Sequence, residues 1–420
     1  MNREAAQPAN ITAPRRLELV RVLAQARATR GPVCNSSSGR YAHRMQPGAE
    51  RWSLLDALRG LAALTVVFWH WGHFWFEGAP VDGFNRTMFP LYALLAPLYD
   101  YGWIAVDMFF VLSGFIFFWK YEAAIGRRSI GPWRFALLRI ARLYPLQLLT
   151  LILVAGLQAV YRAQFGHAFV YANNDGYHFL LNLFMASAWG LQQGFSFNGP
   201  SWSISIEVVL YAIFFAAASA RLTQSWLMVL VCVVAALACT EEEAVLARGV
   251  AGFFAGGLAF RAVRHARESG NAVPACAAAC ALLLTGALAM AANGQNEANL
   301  IRSAALLAFP SAVFLLAMAE RRLDVRHLGW LGDISYSSYL LHVPLQLIAS
   351  YAVVRAFGQA GTAVFLRPEM LIAFLAALIA LAFMTNRLFE RPAQRLILGL
   401  SAAPPIDSRQ TMPRPGRRAA

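Results

Sequence analysis

Charge is scarce in this chain, and one kind of charge is nearly missing. Only 14% of the 420 residues are charged while 58% are hydrophobic, and Lys120 is the sole lysine among 36 basic residues. A soluble domain carries roughly 25% charged residues, so the composition excludes an ordinary soluble enzyme. Cysteine is equally uninformative as a framework. The five present (Cys34, Cys232, Cys239, Cys276 and Cys280) make no CxxC pair, which argues against a zinc site or a disulfide scaffold and predicts buried thiols. No internal repeat is strong enough for the two-halved build common in secondary transporters. The first residues lack the apolar core of a cleavable signal peptide, so the first span is expected to serve as an uncleaved anchor.

What the chain has in abundance is apolar runs. They predict an all-α, polytopic integral membrane protein of about ten transmembrane helices with both termini cytoplasmic. The expected spans are 54–76, 102–119, 143–160, 203–220, 226–240, 247–260, 274–292, 303–319, 334–354 and 370–389. The formal net charge of +14 sits in short arginine runs between them, which is the positive-inside pattern and not a nucleic-acid surface. The densest run, Lys120 with Arg127, Arg128, Arg134, Arg139 and Arg142, is expected to form a cytoplasmic loop. The apolar piece 179–189 is too short to span comfortably, and treating it as interfacial or re-entrant keeps Arg261, Arg264, Arg267, Arg321, Arg322 and Arg326 inside. Three regions follow: a disordered basic cytoplasmic tail over 1–50, a membrane domain over 51–392, and a second disordered cytoplasmic tail over 393–420.

Ionisable groups inside spans are costly, so they are functional candidates by default. Arg59 and His70 lie eleven residues apart in the first span, almost three helical turns, so they share one face at about 16 Å separation. Asp107 and Ser113 lie in the second span. Trp202, Ser203, Ser205 and Glu207 open the fourth, and Tyr336, Tyr339 and His342 lie in the ninth. The predicted topology puts His70, Asp107 and Glu207 in the outer half, with Arg59, Arg139 and Arg142 at the inner face. Such a pathway has a cationic inner mouth and an acid–base outer end. An imidazole can take the proton of a hydroxyl, as acyl transfer to an alcohol requires, and Glu207 or Asp107 could orient it. The plainer readings are that His70 bonds between packed helices, that Arg59 snorkels, and that the arginine run only sets topology. By the same reading His73, Trp69, Trp71 and Trp75 sit at the membrane interface, and Asp333 and Glu390 cap or pair at inner helix ends.

Taken together, Arg59-x10-His70, Asp107 in DMFFVLSGF, Arg139-x-x-Arg142 before Leu-Tyr-Pro, Trp202-Ser-x-Ser-x-Glu207 and GDISYSSYLLHVP around His342 resemble the membrane-bound acyltransferase 3 family, whose members include bacterial O-acetyltransferases of surface and exported glycans. The resemblance runs from Leu54 to about Arg391. It implies a ten-helix core in the bacterial inner membrane that moves an acyl group, usually acetyl, from acetyl-CoA to a sugar hydroxyl, with no metal. It also implies His70 as base or acyl-handling group, Glu207 as the acidic catalytic position, and Arg59, Arg139 and Arg142 as ligands of the anionic parts of CoA. Asp107, Ser113, Trp202, Ser203, Tyr336 and His342 are then the candidates for binding the acceptor. Val208 departs from the pattern, since relatives often carry a second acidic residue there. The soluble esterase-like domain that some relatives append is not expected. The partners implied are acyl-CoA, a carbohydrate acceptor and the bilayer; a homo-oligomer is compatible and nucleic acid is not. Two rival readings remain open: a non-enzymatic glycan transporter or exporter, and an acyltransferase acting on a lipid, an antibiotic or peptidoglycan.

Overall fold

The first helix takes its cap from a distant part of the chain. Helix α1, Ser53–Trp69, has no side-chain cap of its own; the Glu320 carboxylate accepts the N–H groups of Ser53 and Leu54 at 2.7 and 2.8 Å instead. Two of the free donors at that helix end are thereby satisfied, and the anion complements the positive pole. The computed structural model describes residues 51–76, 84–238, 245–294, 296–320, 322–323 and 325–400, and these contain no strand. After α1 come α2 (Tyr92–Tyr101), α3 (Ala105–Phe117), α4 (Pro132–Phe165), α5 (Gly176–Leu183), α6 (Trp202–Ser219) and α7 (Trp226–Ala238). The second half holds α8 (Val245–Glu268), α9 (Ala272–Ala292), α10 (Glu297–Ser303), α11 (Phe309–Ala319), α12 (Gly329–Phe357), α13 (Pro368–Thr385) and α14 (Arg391–Gly399).

Among the described residues, nine helical stretches are long and apolar enough to cross a bilayer. The protein is therefore an all-α, multi-pass membrane protein. The remaining expected span, 226–240, is helical over Trp226–Ala238, 13 residues, and the rest of it lies outside the described residues. The piece at 179–189 does not span: its helix, α5, has 8 residues, about 12 Å at 1.5 Å per residue.

Three expectations need correction. Arg134, Arg139 and Arg142 are not in a loop, because α4 begins at Pro132 and runs 34 residues to Phe165. Proline is pre-shaped for a first helical turn, and arginine is a good helix former whose long stem carries its charge along apolar surface. Gly166, at φ +83°, then ends that helix. Nor is 393–420 irregular from its start, since α14 is helical to Gly399; the remainder of that tail, like residues 1–50, lies outside the described residues. Finally, Trp71 and His73 are buried inside the protein and so do not face outward as an aromatic belt. The 3₁₀ segment Gln359–Leu366 folds over this end of the bundle, and its Phe365 carbonyl takes the Trp71 indole N–H at 3.0 Å. Of the two thiols described, Cys276 is half-buried and Cys280 faces outward on α9.

At the centre α3 packs on α8 almost backbone to backbone. A Cβ built on Gly114 would stand 1.7 Å from the Phe253 carbonyl oxygen, and one on Gly256 1.9 Å from that of Val111. Only glycine permits this approach. Around this pair, α1 and α12 run side by side in the same direction: Asp56 and Arg59 of α1 meet Gly332 and Ser335 of α12, and farther along His70 meets His342.

Candidate active site

Polar side chains inside the bundle line up along α12. At the Ser53 end, Asp333 pairs with Arg51 at 3.1 Å and Arg391 at 2.9 Å. One turn on, Arg59 donates to the Gly332 carbonyl (2.9 Å), the Ser335 hydroxyl (3.1 Å) and Asp56 (2.9 Å). The next turn brings Arg142 to Glu390 at 3.0 Å, and Ser337 donates to the same carboxylate. Glu390 reaches inward from a π-helical turn, Asn386–Glu390, a local widening that re-aims side chains. Tyr336 donates to the Leu143 carbonyl at 2.6 Å, with the Arg142 guanidinium 5.3 Å above its ring.

Arg139 has a different setting. Its guanidinium lies 4.8–5.9 Å from the rings of Phe117, Tyr121, Phe135 and Tyr211, donates to the Tyr121 hydroxyl, and leaves its buried Nε unpaired. An aromatic cage holds a cation without neutralising it. Glu207 accepts from Tyr211 at 2.9 Å and is close enough to Ser113, Arg139 and Arg142 to interact with each. Glu207 thus joins the arginines and not His70. The arginines lie seven and ten residues into α4, about 10 and 15 Å from its start, deep enough to meet a carboxylate on the second turn of α6.

Toward the Trp69 end, Tyr339 donates to the Pro200 carbonyl at 2.7 Å and meets the Ser203 hydroxyl at 2.8 Å. Pro344 gives α12 no N–H to bond the Leu340 carbonyl, and Asn198 fills that vacancy with its amide at 2.9 Å. Beyond lie three histidines. His342 is wholly buried; its Nδ1 donates to the Tyr339 carbonyl at 2.6 Å and its Nε2 stands 3.2 Å from His70 Nδ1. The hydroxyl of Tyr171 donates to His73 Nε2 at 3.3 Å, His73 Nδ1 donates to Gln346 at 3.0 Å, and Gln346 donates to the His70 carbonyl at 2.8 Å. The other polar groups there are paired, as burial demands, while Asn198 Oδ1 and His70 Nε2 find no hydrogen-bond partner among the described residues.

Both ends of the first-span pair, Arg59 and His70, therefore rest on one neighbouring helix. A family model for the acyltransferase domain matches residues 52–387 of the chain. The chain belongs to the acyltransferase 3 family. It is a multi-pass membrane protein of that family. A protein of Rhizobium radiobacter named "Protein 2 in picA locus" is 38% identical over 110 residues, 26% of this chain and 47% of that protein. "Putative membrane-bound transacylase BcsY" of Komagataeibacter xylinus is 30% identical over 166 residues, 38% of this chain and 36% of that one. The chain matches less than half the length of either relative, and no solved structure matches it.

Within this acyltransferase domain the candidates fall into two groups. Arg59, Arg139, Arg142, Glu207, Ser113 and Tyr336 gather around the first third of α4 and of α12, while His70 and His342 form a pair farther along, at the middle of α12, with Ser203 and Tyr339 between. Asp107 stands apart: it is wholly buried and held by both forks of Arg248, with Trp202 stacked on that guanidinium at 5.6 Å. The orienting partner of His70 is neither Glu207 nor Asp107. Sequence reasoning passed over Arg248, Gln346, Tyr171 and Tyr211, although Arg248 as a cation inside a span and Gln346 one turn after His342 both carry the signal of a polar group at membrane depth.

Proposed function

We propose that this protein is an O-acyltransferase of the bacterial inner membrane that moves an acetyl group from acetyl-CoA to a hydroxyl of a carbohydrate, in the form of an exported or lipid-linked glycan. The observation that carries this reading is the polar file along α12, with permanent cations inside the helix bundle and an imidazole farther along it. In this reading Arg139, caged by aromatic rings with one donor unspent, and Arg59 and Arg142 beside it hold the anionic parts of CoA. Glu207 orients those arginines. Ser203, Tyr336 and Tyr339 offer hydroxyls to the acceptor, and Asp107 and Trp202 act through Arg248.

His70 takes the proton of the acceptor hydroxyl as that oxygen attacks the thioester carbonyl. The C–O bond forms, the C–S bond breaks, and the imidazolium returns its proton to the departing thiolate, so that CoA leaves as the thiol. Membranes containing the wild-type protein are expected to pass label from isotopic acetyl-CoA into the glycan fraction, and His70→Ala at matched levels is expected to lose it. Undiminished labelling with His70→Ala would overturn the role of His70; labelling by neither protein, with acetyl-, succinyl- and longer acyl-CoA all supplied, would overturn the donor.

A further inference from the structure

The two nitrogens of His70 differ in what they face. Nδ1 stands 3.2 Å from His342 Nε2, while no described residue hydrogen-bonds Nε2. What passes between the rings is fixed one step farther back. His342 Nδ1 lies 2.6 Å from the Tyr339 carbonyl oxygen; a carbonyl can only accept, so this nitrogen carries the hydrogen. A neutral imidazole has one N–H, so His342 Nε2 keeps its lone pair. It must then accept, and the donor is His70 Nδ1–H.

The chain of donors could run the other way only if His342 carried a second proton. His342 is wholly buried, and among the described residues no carboxylate contacts it or His70. A charge there would stand uncompensated in an apolar interior. His73 offers no escape, since Tyr171 and Gln346 occupy its two nitrogens.

We infer that His342 is a positioning residue: it holds His70 in the tautomer protonated on Nδ1, and so leaves Nε2 as the nitrogen that takes the acceptor's proton. The inference rests on the reading of His70 as the base, and it assigns to a second histidine the work that a carboxylate performs in hydrolase triads. His342 thereby moves from acceptor binding to orientation. Its partner carbonyl lies on its own helix, so α12 delivers the orientation as a rigid unit.

The test uses the full chain in lipid nanodiscs with ¹⁵N-labelled histidine, the His70 signals being assigned by difference from His70→Asn. In the wild type His70 is expected to show a protonated Nδ1 and an unprotonated Nε2. His342→Leu is expected to mix the tautomers and to lower kcat with acetyl-CoA by about 100-fold or more, the scale of a misoriented base, with the donor KM unmoved. His342→Gln, which keeps an accepting oxygen near the position of Nε2, is expected to stay within several-fold of wild type. An unprotonated Nδ1 in wild-type His70, or an unchanged kcat in His342→Leu, would overturn the proposal. So would a His342→Gln variant as slow as His342→Leu while its His70 spectrum matched wild type. The nitrogen spectrum needs no turnover, so a wrong acyl donor would leave it readable and would count against the donor alone.

Discussion

Asp107 and Arg248 form a two-pronged ion pair: Oδ1 lies 2.7 Å from Nε and Oδ2 2.6 Å from Nη2, with the carboxylate wholly buried. Loss of one partner would strand a charge inside the bundle at a cost of about 3–5 kcal/mol. Arg248→Ala is therefore expected to lower the unfolding temperature in detergent sharply, and Asp107→Asn combined with Arg248→Gln to recover much of it. A single variant as stable as wild type would show that the pair contributes nothing.

Glu207 and Arg139 share Tyr211, whose hydroxyl bonds the carboxylate and whose ring lies 5.8 Å from the guanidinium. Residues in one network couple by about 0.5–3 kcal/mol. With acetyl-CoA as donor, Glu207→Gln and Arg139→Leu are each expected to raise KM, and the double variant to fall well short of the summed penalties. Full additivity in that double-mutant cycle would separate the two residues. Glu207→Gln combined with His342→Leu is expected to be additive, because their hydrogen bonds belong to different clusters.

Gly114 and Gly156 both lie in helices but differ in what a methyl group would meet. The first would put a Cβ 1.7 Å from the Phe253 carbonyl oxygen, whereas the second has nothing within 4 Å. Gly114→Ala must push α3 off α8 and is expected to cost about 1–3 kcal/mol or more. Gly156→Ala is expected to be neutral or to gain up to about 1 kcal/mol from helix propensity. Thermal unfolding of the two variants side by side decides the matter, and equal stability would mean that α3 and α8 are not in contact there.

Asp175 caps α5 by accepting the backbone N–H of His178 at 2.9 Å and its ring Nδ1–H, also at 2.9 Å. These bonds, the backbone one first, hold its carboxyl below the usual aspartate range. A depressed acid stabilises the fold above its unfolded value, near about 3.9, and loses that contribution as pH falls through the lower folded value. Amide exchange in α5 should therefore show steady protection from pH 8 to 5 and a loss below about 4. Asp175→Asn should flatten that dependence; a variant with the wild-type profile would remove Asp175 as its cause.

The sequence shows its hydrophobic runs plainly because each must satisfy the same local demand, about 20 apolar residues per crossing. Hence the spans from 54 to 389 are legible, and so is the shared face of Arg59 and His70, which follows from one helix's period. Arg139 and Arg142 show where that legibility stops. Their charges argue for a loop, yet tyrosine and phenylalanine rings from α3, the π-helical turn Phe118–Glu122, α4 and α6 and the Glu390 carboxylate make helix interior tolerable. None of these neighbours except Phe135 is near in the chain.

The sequence by itself determined that the chain crosses a membrane many times, which residues are too costly to be there by chance, and the family to which their order belongs. Only the tertiary structure decided who faces whom. His70 and His342 stand 272 residues apart in the chain and 3.2 Å apart in space, and Asp107 spends its charge on Arg248, 141 residues away. Helical periodicity fixes direction within one element, but the pairing of elements follows from packing summed over the whole bundle. That sum has no local signature.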